Sequence, residues 1–362
     1  MTKFKRTALF ALLFTLLIPF TGNAQNLDCS KLFSATNFVQ SSQVRSLDQV
    51  KELTIMTWNL ENLFMFQGKY EHDLPGKMRK VEGPNTNQRP KPENEINDII
   101  RIIDEVAPDF VVAQEVESLN ALKNAADRSQ IKFRTFLIEG NDSRGIDIGF
   151  MVKEDLPFYI RHVTYKDEMW LDPVSGKQEK LFSRDLPALE IRIDENQEKP
   201  SFVIFGNHAK SKRDRPHDPE SRNWRRNQYD RAAELVESYK KKGIPVFFAG
   251  DFNIDIGRDH EADKLKEKLS SAFDHAEDSV PVDQRITHTY HPRGGVTHKA
   301  QMDDIWISEG LENQIVSAKI YQYKYPDGAL MPIPETFQQR EKQPSDHRPV
   351  IIRVRTKALF RN

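Results

Sequence analysis

The sequence predicts an α/β fold built on mixed sheets, and three observations carry that prediction. Short apolar runs of strand length alternate with longer segments whose apolar residues recur at helical spacing. Two successive strand-like runs, 187–193 and 201–208, have no helical segment between them, as a purely parallel sheet would require. Hydrophobic residues make up 38% of the chain, enough for the core of one large domain, expected over 51–358.

The first 24 residues stand apart from that domain. Lys3, Lys5 and Arg6 form a basic start, 7–20 is an apolar run, and Gly22-Asn23-Ala24 supplies the small residues a signal peptidase reads. The run falls short of the roughly 20 residues a membrane span needs. The expectation is therefore a signal peptide over 1–24 and an exported, periplasmic or secreted monomer with no stable membrane anchor. Residues 25–50, rich in Ser, Asn and Gln, read as a lead-in. Cys29 is the single cysteine, which rules out an internal disulfide, and Asp28 before it fits a lipidation site poorly.

Within the domain, LTIMTW (53–58) reads as a strand. Residues 65–93, rich in Gly, Pro, Asn and Lys, read as a long surface insertion. NDIIRIIDEVAP (97–108) has helical spacing and is stopped by Pro108. DFVVAQ (109–114) is a buried strand and 118–127 a helix. Strands at 146–152, 187–193 and 201–208 lead to a helix over 223–242. IPVFFAG is the next strand, followed by a helix near 261–270 and strands at 303–308 and 348–355.

The formal net charge is −1, from 53 basic and 54 acidic residues, and loss of the basic leader makes the remainder more acidic. A protein that clamps duplex DNA through a broad basic face is usually far more positive. A metal enzyme acting on phosphates is not excluded, because its cation supplies the local positive field.

Polar residues gather where the predicted strands end. In VFFAGDFNID, Asp251 and Asn253 would share one face of an extended backbone, and Asn59 and Glu61 would do so in MTWNLEN. VVAQEVE ends in Glu115, VIFGNHAKSK in Asn207 and His208, and QPSDHRPVII sets Asp346 and His347 before the last strand. Each has a plain structural alternative: an Asx turn for Asp251 and Asn253, a helix N-terminal charge for Glu115, a turn former in Asn59, a half-exposed His208, a simple Ser-Asp-His loop. Their joint placement at strand ends, where open α/β sheets hold ligand sites, favours one shared site.

In order, TWNLEN, AQEVES, GNHAKSK, GDFNID, MDDIWIS and SDHRPV resemble the endonuclease/exonuclease/phosphatase superfamily. This group includes pancreatic-type deoxyribonucleases, abasic-site endonucleases, inositol-polyphosphate phosphatases and neutral sphingomyelinases. The resemblance runs from about residue 53 to 355. It implies a four-layer α/β sandwich, two mixed sheets face to face with helices outside, and a site at one edge. It also implies phosphoester hydrolysis by a cation, an activated in-line water and a stabiliser of the leaving oxygen. Glu115, Asn59, Glu61 and Asp346 match metal-side positions, and oxygen donors without cysteine suit Mg²⁺ or Mn²⁺. Asp251 and Asn253 match the pair that orients water and phosphate. His347, paired with Asp303, matches a phosphate contact or general base, while Asp304 points to the other side of its strand. His208 matches a histidine that protonates or stabilises the leaving oxygen and that abasic-site enzymes lack. Arg184 matches a phosphate-positioning arginine.

The stretch 208–231 carries Lys210, Lys212, Arg213, Arg215, Arg222, Arg225, Arg226 and Arg231. It reads as a basic lip able to track nucleic acid, with Lys210 and Arg225 as contacts, or equally as a solvated helix face. No apolar hairpin able to dip into lipid is evident. The first function expected is an exported Mg²⁺-dependent nuclease with DNA or RNA as substrate. The alternative is a phosphatase or phosphodiesterase for inositol phosphates or sphingomyelin-type headgroups. A non-catalytic binding module is disfavoured, since every aligned site position is retained.

Overall fold

The computed structural model describes residues 44–65, 90–292 and 295–360. The leader, most of the 25–50 lead-in and most of the 65–93 insertion lie outside the described residues.

In chain order the elements are β1 (Glu52–Leu63), α1 (Glu93–Val106), β2 (Phe110–Val116), α2 (Leu119–Arg128), β3 (Phe133–Leu137) and β4 (Asp147–Lys153). Next come β5 (Tyr159–Val163), β6 (Met169–Leu171), β7 (Gln178–Lys180), β8 (Ala188–Arg192) and β9 (Phe202–His208). α3 (Arg222–Lys240), β10 (Val246–Asp251), α4 (Asp263–Lys266), β11 (Leu269–Ser271) and β12 (Asp278–Ser279) follow. The chain closes with β13 (His288–Tyr290), β14 (His298–Ala300), β15 (Asp303–Ser308), β16 (Ile315–Ile320), α5 (Phe337–Arg340) and β17 (Val350–Arg355).

Two mixed sheets form the centre. One has the order β12-β16-β17-β1-β2-β4-β3 and the other β11-β15-β10-β9-β8-β5. β8 and β9, the pair predicted to lack a helix between them, are antiparallel neighbours. Strand alternation sorts the side chains. Ile55, Val112 and Phe150 of one sheet pack against Ile204, Phe247 and Ile305 of the other. On the outer face of the first, Met56, Trp58 and Val111 meet Ile99 and Ile103 of α1 and Leu122 of α2. On the outer face of the second, Phe205, Phe248 and Trp306 meet Tyr229, Ala233 and Val236 of α3. The result is helix, sheet, sheet, helix. Each such side chain contributes about 1.5–3 kcal/mol on burial, so a one-residue slip in register would forfeit a whole face. Gly206 marks a close approach of the sheets: a Cβ there would lie 2.7 Å from Ile148 Cγ2 and 2.9 Å from Phe150 Cζ.

Some boundaries differ from expectation. α1 begins before residue 97, since Pro92 and the acidic residues Glu93 and Glu95 make a favourable first turn. It ends on Ala107, left-handed at φ 51°, with Pro108 behind it. The helix expected near 261–270 is only α4, because β11 takes the rest and pairs with β15. β3 and β5 escape sequence reading because FRTFL and YIRHV are only five residues long and lack a strict alternation of polar and apolar side chains. The β6–β7 ribbon, which sequence reading did not pick out, is a hairpin with Met169, Leu171 and Val174 exposed and a polar second strand. Among the described residues, no helix is long and apolar enough to cross a membrane.

Candidate active site

β1 and β2 run parallel in one sheet, and β9 and β10 run parallel in the other. Their C-terminal ends meet at one edge of the sandwich and deliver Asn59, Glu115, His208 and Asp251. Asn59 Nδ2 donates to Asp251 Oδ2 at 3.1 Å, which ties the two sheets together at this point.

The extended backbone stops at that edge. Glu61, Asn62, Glu115 and Asn253 all have left-handed φ, at 48°, 58°, 60° and 51°. Such strain costs on the order of 1–3 kcal/mol per residue and gathers at functional sites. It overturns the expectation that Asn59 and Glu61 share a strand face. Instead Glu61 N–H donates to Asn59 Oδ1 at 3.0 Å, and Asn62 N–H donates to Glu115 Oε2 at 3.0 Å. The Glu61 carboxylate turns to an ion pair with Arg340. Asp251 and Asn253 also meet by a turn rather than by alternation: Asn253 N–H donates to Asp251 Oδ1 at 2.7 Å and Asn253 Nδ2 to Oδ2 at 3.0 Å. The Asx turn and the polar pair are one structure. Gly250 lets the backbone enter it, since a Cβ there would fall 1.9 Å from the Asn207 carbonyl oxygen.

Asp251 Oδ2 is the meeting point. Besides Asn59 and Asn253, His208 Nε2 lies 3.5 Å from it and His347 Nε2 3.9 Å. His208 Nε2 is also 3.7 Å from Glu115 Oε1. His347 Nδ1 is 2.7 Å from Asp303 Oδ2. The His347 backbone is fixed as well, its N–H donating to Ser345 Oγ and its carbonyl accepting from Trp58 Nε1 and Tyr323 OH. Asp304 faces away, accepting from Gln301 Nε2 and Trp306 Nε1.

Electrostatics separates the two histidines. Burial alone would lower the His347 pKa, but the Asp303 and Asp251 carboxylates outweigh it and raise it to about 10. His208 goes the other way, held well below the usual value by burial and by Arg184 and Arg144. At neutral pH the site therefore contains one imidazolium and one neutral imidazole. Burial raises Asp251 above the ordinary carboxylate range. It would raise Asp346 too, but His288 and His347 beside it hold that carboxyl low.

Several expected residues have other partners. Arg225 does not line a lip: it is fully buried, with Nη2 2.5 Å from Glu261 Oε1 and Nη1 donating to the Lys210 and Glu220 carbonyls. Much of the 208–231 charge is likewise spent, in the pairs Lys212–Asp259, Arg215–Glu179, Arg222–Glu220 and Arg231–Glu168. Arg184 is buried beneath the site, donating to the Ala209 carbonyl at 2.9 Å and lying 3.1 Å from Asp142 Oδ2. Lys210 is half-buried in a neighbouring cleft.

Sequence reading missed four residues. Asp142 and Arg144 form a bidentate pair beside Arg184, and the turn sequence NDSRG ahead of β4 was their signal. His288 packs on His347 with ring centroids 4.4 Å apart and lies 3.7 Å from Asp346. Arg340 sits on a short helix in a polar run that gave no signal.

Among the described residues, two groups bring three ligand-type atoms together: His288, Asp346 and His347, and Asp251, Asp303 and His347. The second is held by its own hydrogen bond to an imidazolium, which has no lone pair to give a metal. Glu115 fits a hard cation better. Among the described residues it accepts a single backbone hydrogen bond, and no guanidinium or ammonium lies within ion-pair distance of it. The Asn59 amide oxygen, on the adjacent strand, has one lone pair in use. These are the oxygen donors that Mg²⁺ or Mn²⁺ takes. Glu61 is the weakest of the expected ligands because Arg340 already neutralises it.

The sequence profile of the endonuclease/exonuclease/phosphatase family matches residues 56–347. No curated protein matches the chain. Similar solved structures include truncated TDP2 of Caenorhabditis elegans, 17% identical, covering 84% of this chain and 98% of that one with a TM-score of 0.51. An endonuclease/exonuclease/phosphatase family protein of Bacteroides thetaiotaomicron is 16% identical, covering 84% and 94% with a TM-score of 0.52. A conserved protein of Enterococcus faecalis described as functionally unknown is 16% identical, covering 83% and 98% with a TM-score of 0.50. At these identities the likeness speaks for the fold alone.

Proposed function

The chain belongs to the endonuclease/exonuclease/phosphatase family, and on that premise we propose that it is an exported, divalent-metal-dependent nuclease that hydrolyses phosphodiester bonds of DNA or RNA. The observation that carries the hydrolytic reading is the convergence on Asp251 Oδ2 of Asn59, Asn253, His208 and His347, drawn from both sheets. The basic start and apolar run of the leader support export.

A cation held by Glu115 and Asn59, with Asp346 at the far side of the site, would neutralise charge on the phosphate and the leaving oxygen. The protein's own groups do the rest. Asp251, with its pKa raised, takes a proton from the attacking water as the water oxygen bonds to phosphorus and the ester P–O bond breaks. The Asn253 and Asn59 amides fix that carboxylate's orientation. His347, charged and held by Asp303, donates from Nε2 to a phosphate oxygen, so in this reading it is a phosphate contact and not a general base. His208, neutral, donates a hydrogen bond toward the departing oxygen instead of delivering a proton.

The ion-paired state of the 208–231 segment favours contact with few phosphates over a long track. It also gives weight to a second reading, a phosphoesterase for a small phosphate ester. The test is the protein from residue 25 onward, with Mg²⁺, offered plasmid DNA, RNA, sphingomyelin and an inositol polyphosphate in parallel. Cleavage of DNA or RNA supports the nuclease. Cleavage of the inositol polyphosphate or sphingomyelin alone would replace it with the second reading.

A further inference from the structure

Beside the candidate site lies a cleft of about 270 Å³ whose walls include Arg144, Lys210, Arg213, Ser183, Ser211 and Trp224. It adjoins the hydrolytic centre directly. Lys210 follows His208 by two residues, and the Ala209 carbonyl between them accepts from both Arg184 Nη1, at 2.9 Å, and Asn253 Nδ2, at 3.1 Å.

The charge in this cleft is unbalanced. Its one wall carboxylate, Asp142, is shared by the Arg144 guanidinium, at 3.0 Å and 3.1 Å, and by Arg184 below. Among the described residues, neither Lys210 nor Arg213 has a carboxylate within ion-pair distance, unlike Lys212, Arg215 and Arg225. Lys210 Nζ is drawn in over the Trp224 ring, 5.6 Å from its centroid. Burial and the nearby Arg184, with Arg144 and Arg213 adding to it, lower the Lys210 pKa to about 8. Three wall cations against one wall acid, with hydroxyl donors from Ser183 and Ser211, make a site for a compact anion.

Resting on the nuclease reading, we infer that this cleft is a second phosphate subsite, which holds the phosphate next to the scissile one on a nucleic-acid strand. Arg144, Lys210 and Arg213 are its contacts, and the strand is gripped through a single neighbouring phosphate. This would let a protein without a basic face prefer a chain over an isolated diester.

The test compares a dithymidine dinucleotide, which has only the scissile phosphate, with the same dinucleotide carrying a 5′- or a 3′-terminal phosphate. The wild-type protein should favour one phosphorylated form by about tenfold or more in kcat/KM, the worth of a charge-assisted contact. Arg213→Ala, at an exposed side chain, should bring that ratio to within about threefold of unity, and Arg213→Lys should restore most of it. Equal rates on all forms by the wild type, or a ratio unchanged in Arg213→Ala, would overturn the subsite while leaving the nuclease reading intact. Failure to cleave any of the dinucleotides, while a small phosphomonoester is hydrolysed, would overturn both.

Discussion

His347 Nδ1 and Asp303 Oδ2 lie 2.7 Å apart in a buried pocket, and this pair makes His347 a fixed positive charge in the site. The two residues therefore act as a unit. Asp303→Asn should reproduce most of the loss caused by His347→Ala, on the order of 10²-fold in kcat/KM. In the double variant the losses should not add. Additive losses would mean that Asp303 serves the fold rather than the imidazole.

The same pair sets a pH dependence of stability. His347 is raised to about 10 from an ordinary value near 6.5, so its pairing contributes fully below about pH 6.5 and is lost as pH rises toward 10. Denaturant unfolding in EDTA should show stability falling across that window in the wild type and a flatter profile in Asp303→Asn. An NMR titration of the His347 ring in EDTA giving a pKa near 6.5 would contradict the fixed charge.

His208 is neutral at rest because burial and the arginines near it oppose protonation. His208→Ala should lower kcat/KM by about 10²-fold, the scale of one preorganised donor, on an alkyl diester, and by less on a nitrophenyl diester, whose leaving oxygen spreads its charge into the ring. Equal losses on both would make His208 a contact to the phosphate rather than to the departing oxygen.

Arg225 and Glu261 form an ion pair removed from water. Arg225→Ala should destabilise the fold by about 3–5 kcal/mol, since it strands a buried carboxylate. The salt dependence of DNA binding at a temperature where the variant is folded should stay as in the wild type. A reduced salt slope would return Arg225 to the nucleic-acid surface.

Much of this architecture is legible from local pattern. Strands such as 303–308 and helix 223–242 sit nearly where apolar periodicity puts them. The site is legible only in part, for a physical reason. Periodicity holds while the backbone is regular, and it fails where Glu61, Glu115 and Asn253 turn left-handed. Alternation thus misplaced Glu61, and the Asp251–Asn253 contact comes from a turn. Charge counts also mislead where cations are paired: the 208–231 run gave no hint that Arg225 would meet Glu261, 36 positions on. His288 and Arg340 reach the site from segments far from its strands, and only tertiary packing reveals them.

The central claim is metal-dependent phosphodiester hydrolysis at the edge where Glu115, Asn59 and Asp251 meet, and one measurement reaches it most directly. The rate on bis(4-nitrophenyl) phosphate is followed against Mg²⁺ concentration for wild type and Glu115→Gln, with unfolding curves for both. Hydrolysis should vanish in EDTA and return with Mg²⁺. In Glu115→Gln it should fall by about 10²-fold or more or require far more metal, while the unfolding midpoint stays within the range of a surface substitution. Full activity in EDTA, or a wild-type metal response in Glu115→Gln, would contradict the claim.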